Sequence, residues 1–306
     1  MILNSNKIFS IFVLLSACIF ASGCRFRDLD NPHSELYRQN SKPTLFFIHP
    51  DTNEPMELTE ANSPHRKYQH LIIVTHGWLS YRPWHWDMAM AIKERCDKKT
   101  WLCGYYDWQQ KSKLPYPFYT TGFDRNVAGP VIGNLVTDNF EDIQHIHLIA
   151  HSTSVWMISE AAKIIANKTK ASIHLTFLDA YIPLFWKEED LADFSAISDV
   201  DCWVEHYLTN DFTLGLTGPT LTNAVNIDIS KLDIGFNDHE FPKYWYHATI
   251  TGRYPKYTRF KNKSVYNNSE KFQFGFCRSL EASKENYRAN KTIAKPGTKV
   301  KISKPK

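Results

Sequence analysis

The chain has 306 residues, 43% of them hydrophobic and 14% aromatic, which is enough for one large folded domain or at most two. The formal net charge is only +4. A net charge this small does not indicate the basic surface that a nucleic-acid-binding protein needs, so nucleic acid is not expected as a partner. The predicted domain, residues 44–282, contains no internal repeats or low-complexity blocks.

The first residues have the composition of an export signal. Lys7 precedes an apolar run over residues 8–20, which is too short to span a bilayer and is followed by three small residues and Cys24. The sequence A-S-G-C resembles a bacterial lipobox, the site at which a lipoprotein precursor is cut. The resemblance implies that residues 1–23 are removed as a signal peptide, and that Cys24 receives lipid on its sulfur and an acyl chain such as palmitate on its amino group.

The residues after Cys24 suggest where the protein is delivered. Arg25 stands where an aspartate would be a retention signal, and this resembles delivery to the outer membrane of Gram-negative bacteria. The expected location is therefore the bacterial outer membrane, with the membrane as a partner through the lipid on Cys24. Residues 24–43 are polar without periodicity and are expected to form a tether. A plain signal-peptidase site, with Cys24 incidental, is the alternative.

Between residues 44 and 282 the hydrophobic pattern predicts alternating strands and helices. Short continuous apolar runs are typical of parallel strands that are covered on both faces. Strands are predicted at 44–49, 70–74, 102–108, 146–149, 173–178, 203–208 and 224–229, and helices at 84–95, 126–136, from 155 and from 242. This order predicts an α/β fold with a mostly parallel central sheet and helices on both faces. Residues 283–306 are basic with few apolar side chains, which predicts a disordered tail.

The stretch at residues 145–163 carries the clearest functional signal. A buried strand, the tight sequence A-H-S-T-S around Ser152 and an amphipathic helix follow one another. A serine at such a sharp turn is lifted clear of the sheet, beside the free N–H groups of a helix N-terminus, which is the geometry that acyl transfer needs. The alternative is an ordinary helix with Ser152 as its N-cap.

The same stretch resembles the nucleophile elbow G-x-S-x-G of α/β-hydrolases of the lipase/esterase type. Ala150 and Ser154 stand where the family has glycine. The strand at 70–74 leads into H-G-W, and in lipases the residue after His-Gly donates an N–H to the oxyanion hole, together with the residue after the nucleophile. The resemblance therefore implies an α/β-hydrolase fold with oxyanion donors at Trp78 and Thr153.

Two carboxylates compete for the role of the triad acid. The strand at 173–178 is followed by Asp179, and because the carboxyl ends of parallel strands meet at one edge, Asp179 is expected beside the serine. Its sequence L-D-A resembles the L-D-P of pancreatic-type lipases, where this aspartate is the acid. Asp211, after the strand at 203–208, is the alternative, since most other α/β-hydrolases place their acid there. The strand-end argument favours Asp179.

The predicted base is His239. It lies in the loop after the last predicted parallel strand and just before a helix that begins near Pro242. From such a loop an imidazole can reach over the strand ends, and the order serine, aspartate, histidine is that of the family. His247, well inside the helix, is the alternative base. The remaining histidines near the strand ends are interpreted as structural neighbours, namely His76, His151 and His206.

These expectations combine into one predicted activity, the hydrolysis of carboxylic esters by a serine hydrolase through an acyl-enzyme. The expected substrate is an acyl lipid or a similar ester, because a bulky Trp78 at the oxyanion position resembles lipases that act on medium or longer acyl chains. The chemistry requires no metal or cofactor. Two alternatives stay open: a thioesterase or amidase with the same triad, and a catalytically inactive scaffold that acts as a binding lipoprotein, for which the loss of both elbow glycines is the argument.

Four cysteines follow the predicted lipidation site, namely Cys96, Cys103, Cys202 and Cys277. In an exported protein they permit disulfides in three pairings, and none of their spacings is that of a metal site. The local candidate is Cys96 with Cys103, which would join the end of a helix to the following strand. The sequence does not decide between the three pairings.

Overall fold

The computed structural model describes residues 43–58, 68–80, 84–210, 216–232, 238–256, 258, 265, 274–276 and 294–302. Its strands are β1 (Thr44–Ile48), β2 (Pro55–Glu57), β3 (His70–Thr75), β4 (Trp101–Asp107), β5 (His145–His151), β6 (Ser172–Leu178), β7 (Cys202–Leu208), β8 (Val225–Asp228) and β9 (Lys299–Lys301). The predicted signal peptide, Cys24 and nearly all of the predicted tether lie outside the described residues.

In the described part of the chain, these strands form one mostly parallel sheet in the order β2-β1-β4-β3-β5-β6-β7-β8-β9. Strand β1 pairs antiparallel with β2 and β4, and the strands from β3 to β9 are parallel to one another. Because β4 lies on one side of β3 and β5 on the other, the strand order reverses between β3 and β5. The crevice at the carboxyl ends of such a pair is where open α/β sheets bind their ligands.

Helices cover both faces of the sheet. The α-helices are α1 (Trp84–Lys93), α2 (Pro117–Phe123), α3 (Gly129–Asn139), α4 (Val155–Lys168) and α5 (Phe241–Thr251). Successive residues of a strand point to opposite faces: Leu148 of β5 packs in the cluster that contains α3 and α4, and Ile149 in the cluster that contains α1 and α5. The α/β prediction, with helices on both faces, is therefore confirmed. Of the helices in the described part of the chain, none is long and apolar enough to cross a membrane.

The predicted helix at 126–136 is part of a longer helical run. Helix α2, the π turn Asp124–Ala128 and helix α3 follow one another without a break from residue 117 to residue 139. Pro130 lies in the first turn of α3, where its missing N–H matters least. The run therefore continues through Gly129 and Pro130, two residues that are unfavourable inside a helix.

The prediction of disorder for residues 283–306 is wrong for residues 294–302. Strand β9 extends the sheet by pairing in parallel with β8, and the Ile302 N–H donates to the Asp228 carbonyl oxygen at 3.0 Å. The side chain of Ile302 is fully buried, and the Lys299 ammonium lies 3.3 Å from an Asp228 carboxylate oxygen. The pairing with β8, the burial of Ile302 and the ion pair dock this short strand, although the segment as a whole is polar. The folded domain therefore extends past residue 282.

The cysteine pair Cys96 and Cys103 is close in space but not joined. Both are free thiols, as is Cys202, and Cys277 lies outside the described residues. A hydrogen bond in which the Cys103 thiol donates to Cys96, together with burial, raises the pKa of Cys103 well above its usual value. The expected local disulfide is therefore absent in this structure, although the two residues are neighbours.

Candidate active site

Three side chains meet at the carboxyl edge of the sheet. His239 Nε2 lies 3.0 Å from Ser152 Oγ, and His239 Nδ1 lies 2.7 Å from Asp179 Oδ2. This network assigns the tautomer in which Nδ1–H donates to the carboxylate and Nε2 accepts from the serine hydroxyl. All three side chains are buried, with exposed fractions of 6% for Ser152, 0% for Asp179 and 8% for His239. The structure thus brings together the three residues that the sequence had singled out.

The backbone at Ser152 has the sharp conformation expected of a nucleophile elbow. Its φ is +60°, in the left-handed region that residues with a Cβ rarely adopt. It begins the 3-10 turn Ser152–Ser154 between β5 and α4, and no side chain caps that turn. Because the Ser152 hydroxyl bonds His239 and not an N–H of its own helix, the N-cap interpretation is wrong.

Asp179 is held from two sides. It follows β6 with a φ of +51°, and its N–H donates to the Tyr207 carbonyl oxygen of β7 at 2.8 Å. Its Oδ1 accepts the Thr209 N–H at 3.2 Å, which leaves Oδ2 facing His239. Neighbouring strands therefore fix the orientation of this carboxylate. The alternative acid, Asp211, lies outside the described residues, and the alternative base, His247, lies within α5.

The turn that carries Trp78 lies against the turn that carries Ser152 and Thr153. A Cβ atom at Gly77 would lie 2.7 Å from the His151 carbonyl oxygen and 2.8 Å from Ser152 Cβ, so only glycine allows this approach. Thr153 occupies the first turn of the helical run, where N–H groups have no acceptor within the helix. The backbone of both predicted oxyanion donors is therefore close to the nucleophile.

The side chain of His76 holds the peptide that carries the Trp78 N–H. Its Nδ1–H donates to the Gly77 carbonyl oxygen at 3.1 Å, and its Nε2 accepts the Trp108 N–H at 3.4 Å. Since a peptide unit is planar, a bond to the Gly77 carbonyl also fixes the direction of the Trp78 N–H. His76 therefore supports the turn that carries the Trp78 N–H.

His151 supports the loop that carries His239. Its Nε2–H donates to the His239 carbonyl oxygen at 2.9 Å, and the two ring centroids are 4.6 Å apart. Burial holds the pKa of His151 well below 6.5, so His151 is neutral and adds no positive charge beside His239. Burial would raise the pKa of Glu240, but the positive charge of Lys243, with which it forms an ion pair, outweighs burial and brings the pKa to about 2. A hydrogen bond from the neutral His151 ring and the ion pair between Glu240 and Lys243 thus stabilise the loop that carries His239.

His206 supports the residue that follows Asp179. Its Nε2 accepts the Ala180 N–H at 3.1 Å, and its Nδ1–H donates to Asn226 Oδ1 at 3.1 Å. Both bonds require a neutral imidazole whose single proton is on Nδ1. Burial lowers the pKa of His206 to about 4, which keeps the ring neutral near pH 7.

We expect the free energy of unfolding to fall as the pH is lowered from about 6.5 to about 4. In this window His206 is protonated in the unfolded chain but neutral in the folded protein, so the unfolded state binds more protons and stability rises with pH. One such group accounts for about 3 kcal/mol over the window. Urea titrations at several pH values measure the change. His206→Gln, which does not titrate, should lose less stability than the wild type, and equal losses would contradict the assignment.

An apolar rim is carried by two segments that contact the turn at Ser152. It consists of large apolar side chains that remain exposed, namely Tyr116, Phe118, Tyr119, Leu184 and Phe185. Helix α2 contributes two of them and lies against the turn Ser152–Ser154. The Tyr181 N–H donates to the Ser152 carbonyl oxygen at 3.3 Å, so the segment that leads to Phe185, which is 80% exposed, starts at Ser152. Exposed apolar surface of this kind commonly marks a ligand-binding groove or a surface that contacts a protein or a membrane.

Sequence reasoning missed Asp124, which begins the π turn ahead of α3. Its carboxyl group is fully buried, and no group in the described part of the chain has full hydrogen-bond geometry to either oxygen. Burial raises the pKa of Asp124 well above its usual value, and the nearby Thr153 hydroxyl offsets this only in part. A buried carboxyl group with a raised pKa therefore lies behind the Thr153 turn. No sequence pattern marked it, since aspartate on a helix normally faces solvent.

Two groups of buried side chains offer three potential metal ligands each, His76 with His85 and Asp107, and His147 with His174 and Glu205. In the first group, both His76 nitrogens are engaged with the backbone. In the second, the two imidazoles are stacked nearly parallel, 3.9 Å apart, so their in-plane lone pairs do not converge on one point. Neither group has the geometry of a formed metal site.

The arrangement of Ser152, His239 and Asp179 can perform nucleophilic acyl transfer. A hydroxyl group is bonded to a base, and a buried carboxylate orients that base, which is the relation that activates a serine. This constellation occurs on unrelated folds, so the argument for chemistry rests on the geometry of the site and not on the fold alone. No protein-family model matches this sequence, and no curated protein is significantly similar to it.

Proposed function

We propose that this protein is a serine hydrolase with an α/β-hydrolase fold that cleaves carboxylic esters. The observation that carries the proposal is the continuous hydrogen-bonded series from Ser152 Oγ through His239 to Asp179. As Ser152 attacks the ester carbonyl carbon, His239 takes the hydroxyl proton, and Asp179 stabilises the resulting imidazolium. The strained φ of Ser152 and its position at the reversal of strand order support the same assignment.

The remaining steps use the same groups. The tetrahedral oxyanion accepts hydrogen bonds from the Trp78 and Thr153 N–H groups, and one such donor contributes about 3 kcal/mol of transition-state stabilisation. The alcohol leaves with the proton held by His239. Water, deprotonated by His239, then hydrolyses the acyl-enzyme and releases the acid.

The apolar rim supports an ester with an apolar acyl chain as the substrate. The rim joins the α2 side of the site to the segment after Asp179, because the Phe118 ring packs edge-on against the Trp186 ring at 6.2 Å between centroids. Trp186 in turn packs against Trp156, four residues after Ser152, at 4.7 Å. A chain of aromatic side chains therefore leads from the helix behind the nucleophile to the exposed rim. An acyl lipid or similar ester fits this surface.

We further propose that the enzyme is an exported lipoprotein, attached to the bacterial outer membrane through lipid on Cys24. The support is the A-S-G-C sequence after a short apolar run. Labelled palmitate should be incorporated into the wild-type chain in a Gram-negative host and not into Cys24→Ser. Equal labelling of both would contradict lipidation at Cys24.

The proposed activity is tested with p-nitrophenyl esters of increasing chain length and with a fluorophosphonate probe, applied to the protein from Arg25 onward. We expect turnover and covalent labelling of the wild type, a preference for longer acyl chains, and neither turnover nor labelling in Ser152→Ala. If the wild type neither hydrolyses esters nor reacts with the probe, the proposal fails and the protein is instead a binding scaffold. Parallel assays on thioesters and amides distinguish an esterase from a thioesterase or an amidase.

We expect Gly77→Ala to lower kcat/KM for ester hydrolysis about 100-fold or more. The added methyl group would overlap the His151 carbonyl oxygen and Ser152 Cβ, so the oxyanion turn must move away from the nucleophile. Gly122→Ala is the matched control, since no atom lies within 4 Å of the added Cβ and alanine favours helix α2. Steady-state kinetics measure kcat/KM for Gly77→Ala and for Gly122→Ala. Wild-type activity in Gly77→Ala would show that the two turns need no such close approach.

A further inference from the structure

Ser154 occupies the second elbow position, where lipases of the family that this chain resembles have glycine. It is fully buried, and its hydroxyl donates to the His76 carbonyl oxygen, 78 positions earlier in the chain. The same carbonyl accepts the indole Nε1–H of Trp108 at 2.7 Å. The side chain that replaces glycine is therefore engaged in a specific contact with the end of β3.

That contact joins the two halves of the proposed oxyanion hole. The His76 carbonyl belongs to the peptide just before the one that carries the Trp78 N–H. Trp108 ties this carbonyl to the end of β4, whereas Ser154 ties it to the turn that contains Ser152 and Thr153. The hydroxyl of Ser154 is thus a direct side-chain link between the turn of one oxyanion donor and the turn of the other.

We propose that Ser154 is a positioning residue, whose hydroxyl sets the distance between the Trp78 and Thr153 N–H groups so that both reach the same oxyanion. The inference rests on the proposed ester hydrolysis. Preorganised donors matter most where charge develops, so the contact should act on the transition state more than on the bound substrate. Glycine at this position could not make the bond, and the departure from the family pattern therefore has a function.

A purely structural role would have a different signature. A buried hydroxyl with a carbonyl partner stabilises a fold wherever it lies, and its loss would lower thermal stability alone. Ser159 provides the matched comparison, because it is also fully buried, lies on the same helical run and accepts the Ala192 N–H at 2.8 Å away from the nucleophile. Comparing variants of the two serines therefore distinguishes the effect of losing a buried hydrogen bond from the effect of displacing the oxyanion turn.

The experiment compares Ser154→Ala, Ser154→Gly and Ser159→Ala with the wild type and Ser152→Ala. For each protein, kcat and KM for a p-nitrophenyl ester, the inhibition constant of a trifluoromethyl ketone and the melting temperature are measured. We expect both Ser154 variants to lose about tenfold in kcat and to bind the ketone, which mimics the tetrahedral intermediate, about tenfold more weakly, with KM within about twofold. Ser159→Ala should melt at a lower temperature with unchanged kcat.

The outcomes distinguish the two proposals. If the wild type shows no turnover that Ser152→Ala abolishes, ester hydrolysis and the role of Ser154 are both overturned. If turnover depends on Ser152 but the Ser154 variants lose only melting temperature, the positioning role alone is wrong. Should the Ser154 variants fail to fold, Trp108→Phe removes the other donor to the His76 carbonyl, and it should lower kcat and ketone binding together. Unchanged kinetics in that folded variant would likewise overturn the inference.

Discussion

Replacing His239 by alanine is expected to lower kcat/KM for ester hydrolysis by about 10⁵-fold or more, as much as the loss of Ser152 itself. The Ser152 hydroxyl then has no base at 3.0 Å to take its proton, and the leaving alcohol has no acid. Loss of Ser152 or of His239 disables the same step. The variant that lacks both side chains should therefore have about the same kcat/KM as either single variant. Single-turnover kinetics and fluorophosphonate labelling measure the defect, and added imidazole should restore part of the activity of His239→Ala.

His247→Ala is the matched control for this prediction. His247 lies in α5, two turns beyond His239, and burial lowers its pKa to about 4. It should therefore be replaceable with kcat unchanged within about twofold, although some stability is lost. If His247→Ala were the inactive variant and His239→Ala the active one, the assignment of the base would be wrong.

Replacing Asp179 by asparagine is expected to lower kcat about 10⁴-fold with little change in KM. An amide at this position can donate to His239 Nδ1, which favours the tautomer with the proton on Nε2 and leaves no acceptor for the serine proton. The amide also cannot stabilise the imidazolium that forms during attack. The contact that changes is the 2.7 Å bond between Asp179 Oδ2 and His239 Nδ1.

Asp211→Asn supplies the comparison, since Asp211 is the alternative acid from the sequence. We expect it to keep wild-type kcat. Circular dichroism and melting temperatures establish that both variants are folded before their kinetics are compared. A large defect in Asp211→Asn together with an active Asp179→Asn would transfer the role of the acid to Asp211.

The elements of this fold follow from local patterns in the chain. The apolar run at 70–74 becomes β3 (His70–Thr75), and the strand predicted at 173–178 becomes β6, one residue longer. Strands covered on both faces must be apolar throughout, so composition over a few residues is a sufficient signal. The approximate meeting of Ser152, Asp179 and His239 was also predictable, because parallel strands place their carboxyl ends at one edge.

Strand β9 shows where local patterns fail. Its residues are two lysines and one valine, and contacts with distant parts of the chain, chiefly the pairing with β8 and the burial of Ile302, make it a strand. Those contacts come from residues far away in the chain, as in the hydrogen bond between Asn226 and Thr298, which are 72 positions apart. A short stretch of sequence around β9 therefore does not reveal the contacts that make it a strand.

The amino-acid sequence alone determined the order of the strands from β3 to β8, the sharp turn at Ser152 and the set of candidate acids and bases, since these depend on neighbours along the chain. The tertiary structure decided which of these candidate side chains contact one another. It selects Asp179 and His239 as the hydrogen-bond partners that lead to Ser152, places His151 against His239 and joins Ser154 to His76. The physical reason is that a hydrogen bond requires two groups to meet within a few tenths of an ångström, and that is set by how strands distant in sequence pack together.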